Sequence, residues 1–225
     1  MSTVWDILTS IQDHLLERLP ETGNEVQEPG MDRFNQPGWI NRVWTGDLYR
    51  RAHLDVVDAR NTKGLWMMHC CIFPHIHNSG PIFGLDVIAG KNKITGFFHD
   101  YSPVGVEDHP MSSYFEDMSK LLLWNKNREL PGWAKEIFSN YMVAAGNVTE
   151  VEELKQVLET SLVSIDYYLG NIESYNHKTE DVTAAHNRYA YYQKQNPHTP
   201  RVMTSLGLNE EDVNAFVNEC LFPEL

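Results

Sequence analysis

The chain has 225 residues and a formal net charge of −13, from 31 acidic and 18 basic side chains. Because general nucleic-acid binding needs a basic surface, this balance excludes that class of function. A chain of this length can bury a sizeable core and keep a ligand pocket, and the lack of a Ser/Gly-rich or charge-rich linker predicts a single domain over residues 1–225.

The N-terminal segment has the pattern of an amphipathic helix. Leucine and isoleucine side chains recur near helical spacing over residues 4–19, and Pro20 is predicted to end the helix. A signal peptide would need a basic start and an unbroken apolar run, and neither is present. Because no apolar run of about 18 residues occurs, we expect no transmembrane helix and predict a cytoplasmic protein.

The pattern changes in the middle of the chain. Residues 20–38 are rich in prolines and glycines and are predicted to be a loop. After them, runs rich in Val, Ile, Tyr, Phe and Trp are broken by turn residues at 61–64 and 90–92, which is typical of strands joined by hairpins. Five strands are predicted, over 39–46, 48–58, 65–73, 82–89 and 93–99.

The second half is predicted to be mainly helical. In the clearest helix, 150–169, Thr149 and Glu152 have the spacing of a capping box, and apolar side chains starting at Val151 form a stripe along one face. Strands followed by helices, with short hairpin links, predict an α+β fold with a mainly antiparallel sheet. The other helices are predicted at 112–124, at about 180 to 195 and at about 209 to 221.

Four polar residues interrupt the predicted apolar strands. Side chains two apart share a face of a strand, so His53 and Asp55 lie together. His69 interrupts the run LWMMHCCIF, and Asp86 interrupts IFGLDVIAG two residues after Gly84. A charged residue in so apolar a segment is rare unless it is paired or functional. The four residues are predicted to converge on one site.

Each of these residues also has a purely structural interpretation. A histidine on an apolar strand is commonly a hydrogen-bonded core residue, and a buried aspartate is often a hydrogen-bond acceptor. Four together raise the weight of a functional site, but the pattern alone leaves both interpretations open. If the site is functional, a carboxyl group buried beside an imidazole resists ionisation and can donate a proton near neutral pH, as general acid catalysis requires.

Other kinds of site find little support. His75 and His77 share a loop without nearby carboxylates, so they form a weak metal site, and we predict no bound metal. Cys70, Cys71 and Cys220 lack the spacing of a disulfide framework, an iron–sulfur cluster or a zinc site. No dinucleotide fingerprint, P-loop or nucleophile elbow occurs, so no nucleotide site and no serine hydrolase site is predicted.

Six spaced motifs run from about residue 38 to the C-terminus: AHLDVVDA, LWMMHCCIFP, PIFGLDVIAG, HDYSP at 99–103, RELPGWAKEIFSNY at 128–141, and LFPEL. With them the chain resembles the ferredoxin-dependent bilin reductases, and within these the phycocyanobilin:ferredoxin oxidoreductase branch. The resemblance implies a three-layer α/β/α sandwich. Its central, mainly antiparallel sheet would hold biliverdin against the helices on one side.

The same resemblance implies an oxidoreductase that acts on biliverdin IXα. Members of the family bind no metal, flavin or nicotinamide; reduced ferredoxin supplies single electrons, and the protein supplies protons to bilin radicals. We therefore expect a monomer without a permanently bound cofactor, in transient complex with ferredoxin. Because ferredoxins are acidic, a local basic patch is needed for docking, and the candidates are Arg42, Arg50, Arg51, Arg60, Lys63, Lys91 and Lys93.

Matching the motifs residue by residue assigns roles. Asp86 in FGLD matches the central catalytic aspartate, and His69 in MMHCC matches the histidine paired with it. His53 in AHLD matches a histidine that supports this pair. Arg128 in RELP matches an arginine that holds a bilin propionate, as suits a guanidinium fork. Asp100 in HDYSP is interpreted as a turn former.

Two departures from the family pattern concern the product. Where phycocyanobilin-forming enzymes carry a glutamate that directs reduction of the D-ring vinyl group, this chain has Asp55, one methylene shorter. Where relatives have an Asn-Asp segment after the long helix, Asn196 is followed by Pro197, which can donate no proton. His198 follows where a lysine able to meet a propionate is usual. We expect Asn196 and His198 to contact the substrate.

These departures favour phycoerythrobilin as the product. With a shortened acid at position 55, we expect reduction first at the bridge between the C and D rings, giving 15,16-dihydrobiliverdin, and then at the A-ring diene. Similar short reductases carried by marine phages work in this way. Phycocyanobilin is the alternative product. A non-catalytic bilin carrier or lyase chaperone on the same scaffold is the alternative from another class.

Overall fold

Seven strands form one antiparallel sheet within the described residues, which are 3–105, 108–173 and 181–225 of a computed structural model. The strands lie side by side in chain order, without a crossover. The five predicted strands are confirmed. The bounds are β1 Asn24–Val26, β2 Trp39–Thr45, β3 Tyr49–Ala59, β4 Leu65–Pro74, β5 Ile82–Gly90, β6 Lys93–Ser102 and β7 Val143–Val148.

The two edge strands, β1 and β7, were not predicted, for different reasons. β1 lies in the segment predicted to be a loop, is only three residues long, and is mostly exposed, so it has no apolar alternation to detect. β7 has the sequence VAAGNV, whose small residues lack the β-branched and aromatic enrichment of strands. Both strands are held by pairing with a longer neighbour.

Helices cover both faces of the sheet, which confirms the three-layer sandwich. The two helical layers are distinguished by the two apolar clusters into which their buried residues fall. α1 (Val4–Thr22), α3 (Pro110–Leu121) and α4 (Val151–Asn171) form the first layer. α5 (Thr183–Gln193), α6 (His198–Ser205), α7 (Glu210–Ala215) and a π-helical segment (Phe216–Leu221) form the second, and α2 (Arg60–Lys63) is one turn between β3 and β4.

Alternation along the strands decides which side chains meet which layer. Leu54 and Met68 point to the first layer, where they share an apolar cluster with Leu8 of α1. From Arg51 onwards, odd-numbered residues of β3 and β4 point the other way, and Cys71 and Phe73 join the cluster of the second layer. His53, Asp55 and His69 therefore face the second layer.

Two helix ends differ from the predictions. α1 continues through Pro20 to Thr22, because a proline in the last turn removes only one intrahelical hydrogen bond. The predicted capping box at Thr149 is wrong. Glu150 is the N-cap of α4, and the Thr149 hydroxyl instead donates to the Glu150 carboxylate at 3.3 Å.

The other three predicted helices are present with shifted bounds. Residue 180, where one helix was predicted to begin, lies outside the described residues; α5 begins at Thr183. α6 was not predicted, since HTPRVMTS has few apolar residues and a proline. Val151 is 44% exposed, so the apolar stripe of α4 begins only at Leu154. Among the described residues, no helix combines the length and the apolar character needed to cross a bilayer.

Candidate active site

Three predicted residues stand side by side in the middle of the sheet. Asp55 on β3 is directly opposite His69 on β4, which is directly opposite Asp86 on β5. Directly opposite residues of an antiparallel pair have Cβ atoms about 4.5–5.5 Å apart. The imidazole therefore lies between two carboxyl groups. We call Asp55, His69 and Asp86 the acid row; Phe98 on β6 extends it.

The acid row lies on the floor of a cavity of about 350 Å³ between the sheet and the second helical layer. This volume is in the range of small-molecule binding sites. Most of the wall is apolar, as a hydrophobic ligand requires, and includes Leu65, Met67, Ile88, Phe98, Met203 and Phe222. The cavity thus joins a hydrophobic surface to a small group of ionisable side chains.

Asp86 faces this cavity from the centre of β5. Burial raises the pKa of its carboxyl group to about 7. At neutral pH the Asp86 carboxyl group is therefore protonated in a large fraction of the molecules. Gly84, on the same face, leaves room beside the carboxyl group. A Cβ at that position would lie 3.3 Å from the Tyr189 hydroxyl, tighter than ordinary contact, so a larger residue would push against α5.

Asp55 is deeply enclosed, with 1% of its surface exposed. Burial raises its pKa to about 7, a hydrogen bond from Trp39 opposes the rise, and the negative charge of Asp86 adds to it. The indole Nε1–H of Trp39 donates to Asp55 Oδ1 at 2.5 Å. The acid row therefore contains two carboxyl groups that titrate near neutrality and repel each other when both are ionised.

His69 is neutral at physiological pH. Burial and then the positive charge of Arg51 lower its pKa to about 4. Its Nδ1 is buried without a hydrogen-bond partner among the described residues, and its ring meets that of Phe222 edge-on, with centroids 5.5 Å apart. The proton of the acid row consequently resides on a carboxyl group rather than on the imidazole.

His53 lies behind the acid row and does not line the cavity. Its Nε2 is 2.6 Å from Asn41 Oδ1, while Asn41 Nδ2 donates to the Met31 carbonyl. Because the amide oxygen can only accept, His53 carries its hydrogen on Nε2. Burial lowers the pKa of His53 well below its usual value. The Cys220 thiol, also buried, donates to the same Asn41 oxygen at 3.1 Å.

The three residues predicted to bind substrate lie on the cavity wall. Arg128 is exposed; its Nη2 donates to the Thr95 carbonyl at 2.5 Å and its guanidinium is 5.6 Å from the Phe98 ring centroid. Asn196 accepts from the backbone N–H of His198 at 3.0 Å. Six of the seven predicted site residues thus line one cavity, and His53 lies behind them.

Asp100 is not a turn former, and that interpretation is wrong. It lies within β6 and is 1% exposed. Its carboxylate accepts from the Ser102 hydroxyl at 2.7 Å and from the Ser139 backbone N–H and hydroxyl at 2.9 and 2.5 Å. Burial raises its pKa to about 6 although these bonds oppose the rise. Asp100 therefore anchors the segment around Ser139 to the sheet.

The basic residues predicted to dock ferredoxin do not form one patch. Arg51 is 4% exposed, binds both carboxylate oxygens of Glu28 at 2.8 Å and donates to the Cys220 carbonyl, so it holds the C-terminal segment. Arg50 is half-buried above the Phe73 ring, at 4.4 Å, and burial lowers its pKa to about 10. Both arginines are removed from the predicted surface.

The other predicted basic residues separate into two sets. Arg42 and Arg60 pair with acidic neighbours, Glu25 and Asp58, at 2.5 and 2.7 Å. Lys63, Lys91 and Lys93 lie at the end of the sheet where Leu65 pairs with Gly90 and Gly90 with Lys93. These exposed lysines are the part of the predicted patch that the structure brings together.

Metal binding gains no support. Within the part of the chain that the structure describes, no group of three or more His, Cys, Asp or Glu side chains has the geometry of a metal site. His75, one of the weak pair, is bonded through Nε2 to the Gly46 carbonyl at 2.8 Å. All three cysteines are free and buried.

Trp39, Asn41 and Cys220 were missed by the sequence interpretation. Trp39 and Asn41 are two apart on β2, so they share the face that carries Asp55, and a polar residue at an inward position was a detectable pattern. Cys220 lies in the π-helical segment, 179 residues after Asn41. Nothing in the local pattern placed it beside His53.

Comparison with known proteins agrees with this geometry. The family model described as ferredoxin-dependent bilin reductase matches residues 7–223. The chain is 25% identical over 189 residues to a phycocyanobilin:ferredoxin oxidoreductase of Gloeobacter violaceus, covering 81% of this chain and 73% of that protein. It is 30% identical over 103 residues to the protein of the same name from Synechococcus elongatus, covering 45% of this chain and 40% of that protein.

Solved structures give the same similarity. The structure of PcyX superposes with a TM-score of 0.72 at 37% identity, covering 97% of this chain and 99% of that one. The phytochromobilin synthase from tomato, solved in complex with biliverdin, superposes with a TM-score of 0.74, covering 95% and 82%. At 15% identity, this second likeness concerns the fold.

Proposed function

The chain belongs to the ferredoxin-dependent bilin reductases, a family of oxidoreductases, and on this basis we propose that it reduces biliverdin IXα with electrons from reduced ferredoxin. The observation that carries the proposal is the acid row on the floor of an apolar cavity. A reduction by single electrons needs a proton donor within reach of the substrate, and Asp86 lines the cavity with a carboxyl group whose pKa burial raises to about 7.

The cavity suits both the apolar ring system and the charged propionates of a bilin. An open-chain tetrapyrrole has a wide conjugated system, which suits walls such as Met67, Phe98 and Phe222. Its two propionates need cationic or hydrogen-bonding partners, and Arg128 and His198 lie on the exposed part of the wall. We propose that both residues contact propionates and that Asn196, which bonds the backbone of His198, holds that segment in place.

The proton transfers follow from the pKa values. An electron that enters the bilin makes it more basic, and the protonated Asp86 carboxyl group, whose pKa is raised to about 7, donates to the bilin radical. Neutral His69, between Asp86 and Asp55, can pass the next proton across the row without itself storing charge. Four electrons and four protons convert biliverdin to phycobilin, so the row must be reloaded between steps.

Phycoerythrobilin, formed through 15,16-dihydrobiliverdin, is the proposed product. Asp55 has a short side chain, and its Oδ1 is bonded to Trp39 on the neighbouring strand. An acid held in this way is poorly placed to protonate a D-ring vinyl group, which is the step that leads to phycocyanobilin. Phycocyanobilin is the alternative product, in keeping with the names of the curated relatives.

We further propose that Lys63, Lys91 and Lys93 receive the acidic ferredoxin. They are exposed at one end of the sheet, close to the part of the cavity wall formed by Leu65 and Ile88. Electrostatic steering needs only such a local patch on an acidic protein. We propose a single domain over residues 1–225, a monomer, and a cytoplasmic location, which its three free thiols fit.

Anaerobic turnover tests this function. Biliverdin bound to the protein is mixed with reduced ferredoxin and its absorbance is followed, with ferredoxin omitted as the control. Loss of the long-wavelength band and a product that co-elutes with phycoerythrobilin support the proposal. An unchanged spectrum favours the bilin carrier or lyase chaperone, which has no need of ionisable groups in its core.

A further inference from the structure

Trp39 contacts one of the two carboxyl groups of the acid row and not the other. We propose that Trp39 is a positioning residue that favours ionisation of Asp55 over that of Asp86 and so places the shared proton of the row on Asp86. The proposal deepens the proposed function, and its catalytic consequence rests on it. The proton distribution itself can be measured without bilin or ferredoxin.

The geometry holds the indole in a single position. Trp39 on β2 is opposite Val57, so it is diagonal to Asp55, within reach of a large side chain. It is 5% exposed, and its ring meets that of Phe216 edge-on with centroids 5.1 Å apart. Phe34 packs on it at 5.6 Å. The Nε1–H therefore stays aimed at Asp55 Oδ1, 2.5 Å away.

The chemistry of the donor gives the direction of the effect. An indole N–H can donate but never accept, so it binds a carboxylate more strongly than a carboxylic acid. This bond lowers the pKa of Asp55, against burial and the negative charge of Asp86, which both raise it. The pKa of Asp86 is also raised by burial, but Asp86 has no such donor. Because ionisation of one acid disfavours ionisation of the other, a donor on Asp55 directs the remaining proton to Asp86.

The other groups that face Asp55 do not supply this asymmetry. His53 and His69 have lowered pKa values and are neutral near pH 7. Burial raises the pKa of the Cys220 thiol to about 12, so it carries no charge. Arg51 is paired with Glu28. The remaining polar neighbour is Asn41, whose amide is occupied by Met31 and His53.

The consequence for catalysis is that Asp86 and Asp55, two acids of similar pKa, have different roles. Asp86, which faces the cavity, holds the proton that the bilin receives first. Asp55, which the indole favours in its ionised form, takes up a proton between electron transfers and passes it through His69 to Asp86, so it reloads the row and does not protonate the substrate directly. Trp39 would thereby affect both the pH dependence and the site of reduction.

Infrared spectroscopy of the protein without bilin tests the proton placement. The protonated carboxyl band at pH 7 is assigned by its loss in Asp86→Asn and its survival in Asp55→Asn. Trp39→Phe keeps an aromatic ring but removes the donor. In the double variant Trp39→Phe with Asp86→Asn, we expect a protonated carboxyl band to remain, because Asp55 then holds the proton. The Asp55 titration should rise by about one to two pH units, the size of a lost hydrogen bond to a charged group.

The control is Trp44→Phe, the same substitution at a buried tryptophan of β2 that packs in the first layer, away from the acid row. We expect the acid row to titrate in it as in the unchanged protein, which separates the hydrogen bond to Asp55 from the loss of an indole. If Asp86→Asn abolishes the band in the Trp39→Phe background as fully as it does when Trp39 is present, the inference is overturned. Failure of biliverdin turnover would count against the proposed function, and leave this titration result standing.

A catalytic readout follows the same logic. If the protein turns over, Trp39→Phe should shift the pH optimum and raise the share of phycocyanobilin, because Asp55 becomes a second donor. Trp44→Phe should change neither. An identical pH profile and product ratio in Trp39→Phe would contradict the catalytic part of the inference.

Discussion

His53 Nε2 lies 2.6 Å from Asn41 Oδ1, and this contact fixes the tautomer of a histidine that does not itself reach the cavity. Since Asn41 also binds Met31 and Cys220, one amide connects β2, the first loop and the C-terminal segment. We infer that the support of the acid row depends on this amide. Its removal should be visible both in stability and in the protonation of His53.

Asn41→Leu should therefore destabilise the protein by about 1–3 kcal/mol, the cost of leaving buried polar partners unsatisfied. Nitrogen NMR should show His53 losing its fixed Nε2–H tautomer. Asn41→Asp is the matched control, because it keeps an acceptor; a carboxylate there should raise the pKa of His53. An unchanged His53 spectrum in Asn41→Leu would show that the amide does not set the tautomer.

Stability should fall as the pH rises through the range in which the acid row ionises. The folded-state pKa of Asp86 is raised from 3.8 to about 7, so the folded protein binds more protons than the unfolded one between these values. The stabilisation is present below about pH 4 and is lost as pH approaches 7. Asp86→Asn, which cannot ionise, should be more stable than the unchanged protein at pH 8, by roughly 2–4 kcal/mol.

Urea unfolding at pH 5 and pH 8 measures this difference. Glu152→Gln, an exposed position on α4, is the control and should follow the unchanged protein at both pH values. Parallel pH curves for Asp86→Asn and the unchanged protein would mean that the Asp86 pKa is not raised.

Arg128→Leu should weaken biliverdin binding roughly 10- to 100-fold, the value of a charge-assisted hydrogen bond. Arg128→Lys should restore part of the affinity through its charge. Biliverdin dimethyl ester has no propionate charge. Its binding to Arg128→Leu therefore distinguishes loss of the propionate contact from a change in the shape of the cavity. If Arg128→Leu weakens binding of the ester as strongly as that of the acid, the propionate contact is wrong.

Asp55→Glu should move the product towards phycocyanobilin. The added methylene lets the carboxyl group extend into the cavity while one oxygen remains near Trp39. Chromatography of the products against bilin standards measures the ratio. Asp55→Asn is the control, since it keeps the length and removes the acid. If Asp55→Glu yields the same product as the unchanged protein, side-chain reach does not decide the site of reduction.

Lys91→Glu combined with Lys93→Glu should raise the KM for ferredoxin at low ionic strength, with little change in kcat. The effect should shrink at high salt, because exposed charges are screened. Lys155→Glu, an exposed charge reversal on α4 outside the set of three lysines, is the control. Equal KM values at low salt would place the docking surface elsewhere.

The central strands and the acid row were predictable from residue pattern. Runs such as the one around His69 have the β-branched and aromatic content of strands, and strict alternation puts Asp55 and His53 on one face. The direct register of Asp55, His69 and Asp86 was not available from any local pattern. Register depends on hairpin geometry and on packing of the whole sheet.

The wrong predictions for Arg51 and Asp100 have a common physical cause, which is tertiary contact. Arg51 has the sequence of a surface arginine, and Glu28 and the Cys220 carbonyl draw it into the core. Asp100 precedes a Ser-Pro pair typical of turns, but it is enclosed by the segment around Ser139, far along the chain. Charge and turn propensity are local properties of the sequence. They did not predict that Arg51 and Asp100 are buried by distant parts of the chain.

The central claim is that the Asp86 carboxyl group delivers a proton to bound bilin. The direct test is a single anaerobic turnover of Asp86→Asn with reduced ferredoxin, followed by absorbance and electron paramagnetic resonance. We predict that the variant binds biliverdin, takes up one electron and stalls as a bilin radical without forming product. Formation of phycobilin at the rate of the unchanged protein would contradict the account.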